Sequence, residues 1–151
     1  MGIRSAVNLI AMVSVAVLWL GLSIGAQGAE RYKTRLSPVP IDTSQLDTIK
    51  GVGTATADLV GSKVTINGTF NGMAGAATIA QLHLSPNLGM RGRVIAELTV
   101  TKAASGSVNG VVELTSLQVP LFKKGLFYIQ IHSEKAPEGN LWGWLVSEEH
   151  K

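Results

Sequence analysis

The chain contains no cysteine. It therefore has no disulfide staples, no thiolate metal site, no haem attachment motif and no thiol nucleophile, and it must hold together through its own core. It also lacks a concentrated charge of either sign. Lysine and arginine number 13 against 10 acidic residues, and no basic run is longer than Lys123-Lys124. Nucleic acid demands a clustered basic footprint, so it is excluded as an expected partner. Beyond residue 30 no stretch sustains a 3.6-residue apolar period over three turns, and no internal repeat or low-complexity segment is present. Catalytic patterns are missing too. No serine sits in a G-x-S-x-G elbow, and the acidic residues are scattered without a dyad spacing. "GVG" at 51–53 opens a strand and not a helix, so it is no phosphate loop. "NGT" at 67–69 matches a glycosylation sequon but falls within an expected strand.

What is present begins with a leader. Arg4 is the only charge before Glu30, and Leu9–Ala26 is apolar throughout, ending in the small residues of "GAQGAE". That order describes a secretory signal peptide over residues 1–29, cleaved near Gly28/Ala29. The alternative is an uncleaved inner-membrane anchor presenting the domain outward, because about 18 apolar residues just span a bilayer. Removing Arg4 leaves 12 cationic and 10 acidic side chains on a domain of residues 30–151.

This domain alternates. "GTATADLV" (53–60) puts Ala55, Ala57 and Leu59 on one face. After the hairpin signal Gly61-Ser62, "KVTINGTF" (63–70) does the same with Val64, Ile66 and Phe70. Further strands are expected at 31–36, 78–84, 93–100, 107–114, 126–132 and 141–146, the last two around an eight-residue loop. Thr115 and Gln118 have capping-box spacing, with Pro120 limiting any helix there to about one turn. Such strands predict an all-β antiparallel Greek-key sandwich or barrel, immunoglobulin-like or superoxide-dismutase-like.

"GVGTATADLVGSKVTINGTFNGMAGAATIAQLHLSP" followed by "GLFYIQIHSEKAPEGNLWGWL" resembles the CHRD (chordin-type) domain of exported bacterial proteins. The resemblance covers roughly 31–146 and implies a β-sandwich without enzymatic activity. Two positions depart from the family pattern. Gln81 stands for the first histidine of His-x-His, and Trp142 for the arginine of the closing strand. A more distant likeness links "QLHL" and "IQIHSEK" to the strands of copper-zinc superoxide dismutases. It supports a barrel of similar type but not the chemistry. Gln81 replaces a copper ligand, no histidine offers the bridging imidazole, and the 85–92 loop is too short for zinc.

Two groups remain as candidate sites. His83 and His132 each end a strand and point away from the core set. Met90 or Glu134 would supply a third metal ligand, and a histidine/thioether set suits copper(I). The plainer reading is that both histidines bond loop backbone. His150 lies in the C-terminal tail. Tyr128, Trp142 and Trp144 share the outward face of the last two strands, an aromatic patch suited to a protein or glycan partner. The N-terminal segment or the 115–124 turn would cover them otherwise. The expectation is a periplasmic or secreted non-catalytic module without a cofactor, membrane-bound only if the leader is retained. The alternative is a periplasmic copper-binding protein using His83 and His132.

Overall fold

A computed structural model of the chain describes residues 28–39 and 42–149. The expected leader falls almost wholly on residues 1–27, outside the described residues, as does His150. The strands are β1 (Glu30–Pro38), β2 (Val52–Val60), β3 (Lys63–Asn71), β4 (Ala77–Leu84), β5 (Arg93–Val100), β6 (Gly106–Glu113), β7 (Phe127–Ser133), β8 (Ala136–Trp144) and the short β9 (Val146–Ser147). A helix, α1 (Gln118–Lys123), joins β6 to β7, and a 3-10 turn covers Thr43–Gln45.

All pairings are antiparallel. They run β2-β3-β6-β5-β4-β7-β8-β1, and β1 also pairs with β2, so the sheet closes into an eight-stranded Greek-key barrel with β9 attached to β1. Closure decides between the two expected architectures in favour of the barrel. It is uneven, however. β1 follows β2 from Glu30↔Leu59 to Leu36↔Gly53, but meets β8 only at Ser37↔Trp142 and Pro38↔Leu141. Likewise β5 meets β6 only at Thr99↔Asn109 and Val100↔Val108.

The period-two pattern places the core. Ala55, Ala57, Leu59, Val64, Ile66 and Phe70 all point inward from the first hairpin, as expected. Leu82, Ile129, Ile131 and Leu141 meet them from the other side, each fully buried. Burying one such side chain contributes roughly 1.5–3 kcal/mol. Helix α1 closes one end of the barrel. Its Phe122 is fully buried, 4.7 Å edge-on from Tyr32 and 5.2 Å from Phe127. The expected capping box forms, with Thr115 N donating to Gln118 Oε1 (2.9 Å) and Gln118 N to Thr115 Oγ1 (3.3 Å). The helix is longer than one turn. Pro120 lies in its first turn, where a missing N–H leaves no intrahelical bond unmade.

The eight-residue loop after His132 is not a loop. Glu134-Lys135 make a tight turn and β8 starts at Ala136. Between the pairs Ser133↔Ala136 and Ile131↔Leu141 strand β8 carries extra residues, a bulge over Pro137–Asn140. Gly139, at φ +130°, takes a backbone conformation that other residues rarely adopt. Among the described residues the closed hydrogen bonding and the core lie within residues 30–147.

Candidate functional site: the outer face of β4, β7 and β8

Register builds this face in rows. His83 on β4 lies opposite Tyr128 on β7, which lies opposite Trp144 on β8. The next row is Gln81, Gln130 and Trp142, and beyond it Ile79 faces His132. All of these alternate with core residues and so point away from the barrel interior. Strand alternation alone therefore brings the expected residues together on one face.

The aromatic rings pack as one cluster. His83 stacks on Tyr128 at 4.7 Å and 16°. Tyr128 packs against Trp144 (4.8 Å) and Trp142 (5.8 Å), and the two indoles meet edge-on at 4.5 Å. Each such pair is worth about 0.5–1.5 kcal/mol beyond its buried area. Tyr128 departs from the expected exposed patch, being only 1% exposed, while Trp142 and Trp144 are half-buried. Tyr128 is enclosed by the His83, Trp142 and Trp144 rings and by the 85–92 loop. Gly92 N donates to the Tyr128 hydroxyl (3.0 Å), and Arg91 Nη1 reaches the Glu138 carbonyl (2.9 Å). Ser85 Oγ holds the loop closed by donating to the Met90 carbonyl (2.8 Å).

The β8 bulge supports the opposite end. His132 Nδ1 bonds the Pro137 carbonyl at 2.8 Å, and Gln130 Nε2 donates to the Glu138 carbonyl at 3.1 Å. The Gln130 amide occupies the space a Cβ on Gly139 would fill. Behind the bulge, Ser133 Oγ donates to Asn140 Oδ1 (2.9 Å), and Asn140 Nδ2 donates to the Lys50 carbonyl (2.7 Å).

These contacts fix the histidine chemistry. A carbonyl only accepts, so His83 Nδ1, 3.1 Å from the Gly92 carbonyl, and His132 Nδ1 both carry the proton. In the neutral form of either ring, Nε2 is then a lone-pair acceptor, the atom an imidazole offers to a donor or a metal. The His83 pKa is lowered from the ordinary histidine value. Burial is the main cause, the Gly92 bond opposes it, and charge repulsion from His132 and Arg91 lowers it further.

Three buried polar atoms on this face have no partner in the protein: His83 Nε2, Gln130 Oε1 and Trp144 Nε1. Leaving one such group unpaired costs about 1–3 kcal/mol. Two are acceptors and one is a donor.

The metal candidates are less well assembled. His83 and His132 lie two rows apart with Gln130 between them, and strand rise puts their positions about 13 Å apart along β7. Met90 is half-exposed on the covering loop, its Sδ accepting from Asn87 Nδ2 at 3.6 Å. Glu134 is exposed in the β7–β8 turn. Among the described residues no three or more His, Cys, Asp or Glu side chains gather in ligand range.

Gln130, Gly92 and Asn140 belong to this site and were not anticipated. A glutamine within the otherwise apolar "FYIQI" run was the one visible signal. No helix among the described residues is long and apolar enough to cross a membrane. Comparison with curated proteins and with solved structures gives no match. The family model of the CHRD domain matches residues 33–145, nearly the whole barrel, including every residue of the face just described. The chain belongs to the CHRD-domain family.

Proposed function

We propose that this chain is an extracytoplasmic, non-catalytic binding module whose contact surface is the outer β4–β7–β8 face. One observation carries the reading: on this one face His83 Nε2, Gln130 Oε1 and Trp144 Nε1 are each buried without a protein partner, and Trp142 beside them is half-buried. Proteins rarely leave three such atoms on one surface unless something else satisfies them. Two indole faces next to amide and imidazole acceptors suit a ligand with both apolar faces and hydroxyls, as a glycan has. The apolar run before Glu30 supports export. Calorimetric titration with a panel of soluble oligosaccharides tests the surface, with Trp142→Ala as the control. Binding by the wild type that Trp142→Ala lowers at least about tenfold supports it. Binding that is indifferent to Trp142, or none across the panel, overturns the glycan assignment. Turnover of a substrate that vanished on changing one polar residue would end the non-catalytic reading.

A second reading is copper binding through His83 and His132. Its support is that each imidazole gives its Nδ1 proton to a backbone carbonyl, the arrangement that orients metal-ligating histidines. His83 Nε2, His132 Nε2 and the Met90 thioether would form the donor set; movement of the 85–92 loop would bring Met90 in, and the two imidazoles, two rows apart, would themselves have to swing toward each other. Metal analysis of the exported protein, with copper titration of His83→Ala, decides it. Stoichiometric copper lost in that variant supports it; no binding on titration ends it.

A further inference from the structure

The end of the barrel closed by α1 leaves large apolar side chains in solvent. Leu117, just before α1, is 80% exposed, and Leu88, in the 85–92 loop, is 61% exposed. Each stands close in the chain to a groove of about 410 Å³ lined by Leu84, Ser85, Pro86, Arg93, Leu121 and Leu126. The groove adjoins the place where β5 parts from β6. Residues Arg93–Leu98 have no β6 partner, and Ile95, Ala96, Val119 and Leu121 are only partly buried against the core there. The Ser85 N–H and hydroxyl already bond Leu126 and Met90 carbonyls. Apart from the Arg93 guanidinium, whatever enters the groove therefore finds few hydrogen-bonding groups, which favours an acyl chain with an anionic head over a peptide.

The charges named at this end leave a small cationic excess, which sits in Arg93 and Lys124 beside the groove. The carboxylates of Glu30, Asp58 and Glu148 are neutralised by Lys123, Arg31 (2.8 Å) and Lys33 (3.2 Å). Lys63, Arg93 and Lys124 have no ion-pair partner among the described residues, against Glu113 and Glu149. The chain also enters the barrel here. Glu30, the first residue of β1, follows within a few residues of the apolar run Leu9–Ala26.

We propose that the α1 end of the barrel is a membrane-facing surface for anionic phospholipid. Leu88 and Leu117 enter the acyl boundary, the groove takes a lipid chain, and Arg93 and Lys124 meet headgroup phosphates. Apolar insertion combined with basic contact is how a peripheral domain holds a bilayer, and the electrostatic part weakens with salt. This surface stands whether or not the β4–β7–β8 face binds a ligand.

The test is co-sedimentation of residues 28–151, first shown by a cooperative thermal melt to fold alone, with phosphatidylcholine vesicles lacking or containing phosphatidylglycerol. The wild type binds the anionic vesicles, and less so as salt rises. The pairs Leu88→Asp with Leu117→Asp, and Arg93→Glu with Lys124→Glu, each reduce the bound fraction about fivefold or more. Leu46→Asp, which changes a 63% exposed leucine at the opposite end, leaves binding unchanged. Thermal melts run alongside show that the variants fold. No wild-type binding overturns the proposal, as does equal binding to neutral vesicles or equal loss in Leu46→Asp. Uptake of a soluble fatty acid without vesicle binding also overturns it, because the groove would then serve a monomeric amphiphile.

Discussion

His83 and Tyr128 grip the same glycine from two sides. Their rings stack at 4.7 Å, His83 Nδ1 donates to the Gly92 carbonyl, and the Gly92 N–H donates to the Tyr128 hydroxyl. One peptide segment of the covering loop is thereby tied to two neighbouring strands. Tyr128→Phe keeps the stack and strands a part-buried N–H, so it should destabilise the barrel by about 1–3 kcal/mol. Chemical denaturation measures this. A variant as stable as wild type would mean that the loop does not rest on that bond.

Gly92→Ala should be worse. A Cβ there would overlap the Leu84 carbonyl and lie 2.5 Å from its carbon, so the loop must lift and both bonds must break. The tryptophan fluorescence of the 142/144 pair should then shift toward the spectrum of exposed indole. An unchanged spectrum would place the cover elsewhere.

Stability should depend on pH through His83. Its folded pKa is depressed, so the unfolded chain binds a proton more readily than the folded one. By linkage, the contribution of the neutral buried imidazole is fully present above the unfolded value of about 6.5, and it is lost as pH falls from there toward the lower folded pKa. Denaturation series between about pH 5 and 7 should show wild type weakening while His83→Gln stays flatter. Parallel curves would show that His83 is not the group responsible.

Asn140 is the peg of the β8 bulge. It is fully buried, donates to the Lys50 carbonyl and accepts from Ser133, whose hydroxyl also takes the Ala136 N–H at 3.1 Å. Asn140→Ala should cost about 2–4 kcal/mol, because it strands partners on both sides. Hydrogen exchange should quicken at Ala136 and at Val39, whose N–H bonds the Asn140 carbonyl at 3.0 Å. Quickening that spread evenly over all strands would argue against a local role.

Gly143 lets β1 and β8 approach. An added Cβ would overlap Thr34 Oγ1 and lie 2.5 Å from the Arg35 carbonyl oxygen. Gly143→Ala should therefore destabilise by about 3 kcal/mol or more. Thr34→Ala should rescue only part of the loss, since the backbone oxygen stays in place. Full rescue would show that only the side chain is in the way.

Much of this was legible because alternation reports which way a side chain points. Ala55, Ala57, Leu59, Val64 and Ile66 were readable as core, and Tyr128, Trp142 and Trp144 as their opposites. What alternation cannot report is what lies above the outer face. The 85–92 loop covers Tyr128 through the backbone atoms of Gly92, and backbone atoms leave no mark on composition. The bulge was hidden for a similar reason. "EKAPEGN" carries Pro, Gly and polar residues that look like a loop, yet Ser133 and Asn140 hold it against the sheet through buried side-chain bonds. The histidines were correctly placed on one face. Their separation by two rows depended on a register that no local pattern encodes.

The uneven closure of the barrel has a mechanical consequence. Six of the eight seams are paired over five residues or more, and the other two, β1 to β8 and β5 to β6, are held at two residues each. The barrel is therefore built as two half-shells, β1-β2-β3-β6 and β5-β4-β7-β8, that meet at short joints. The face bearing His83, Tyr128 and the tryptophans lies wholly within one shell, so breathing of the barrel would carry it as a rigid plate. The α1 groove lies at a joint, so the same breathing would widen or narrow it.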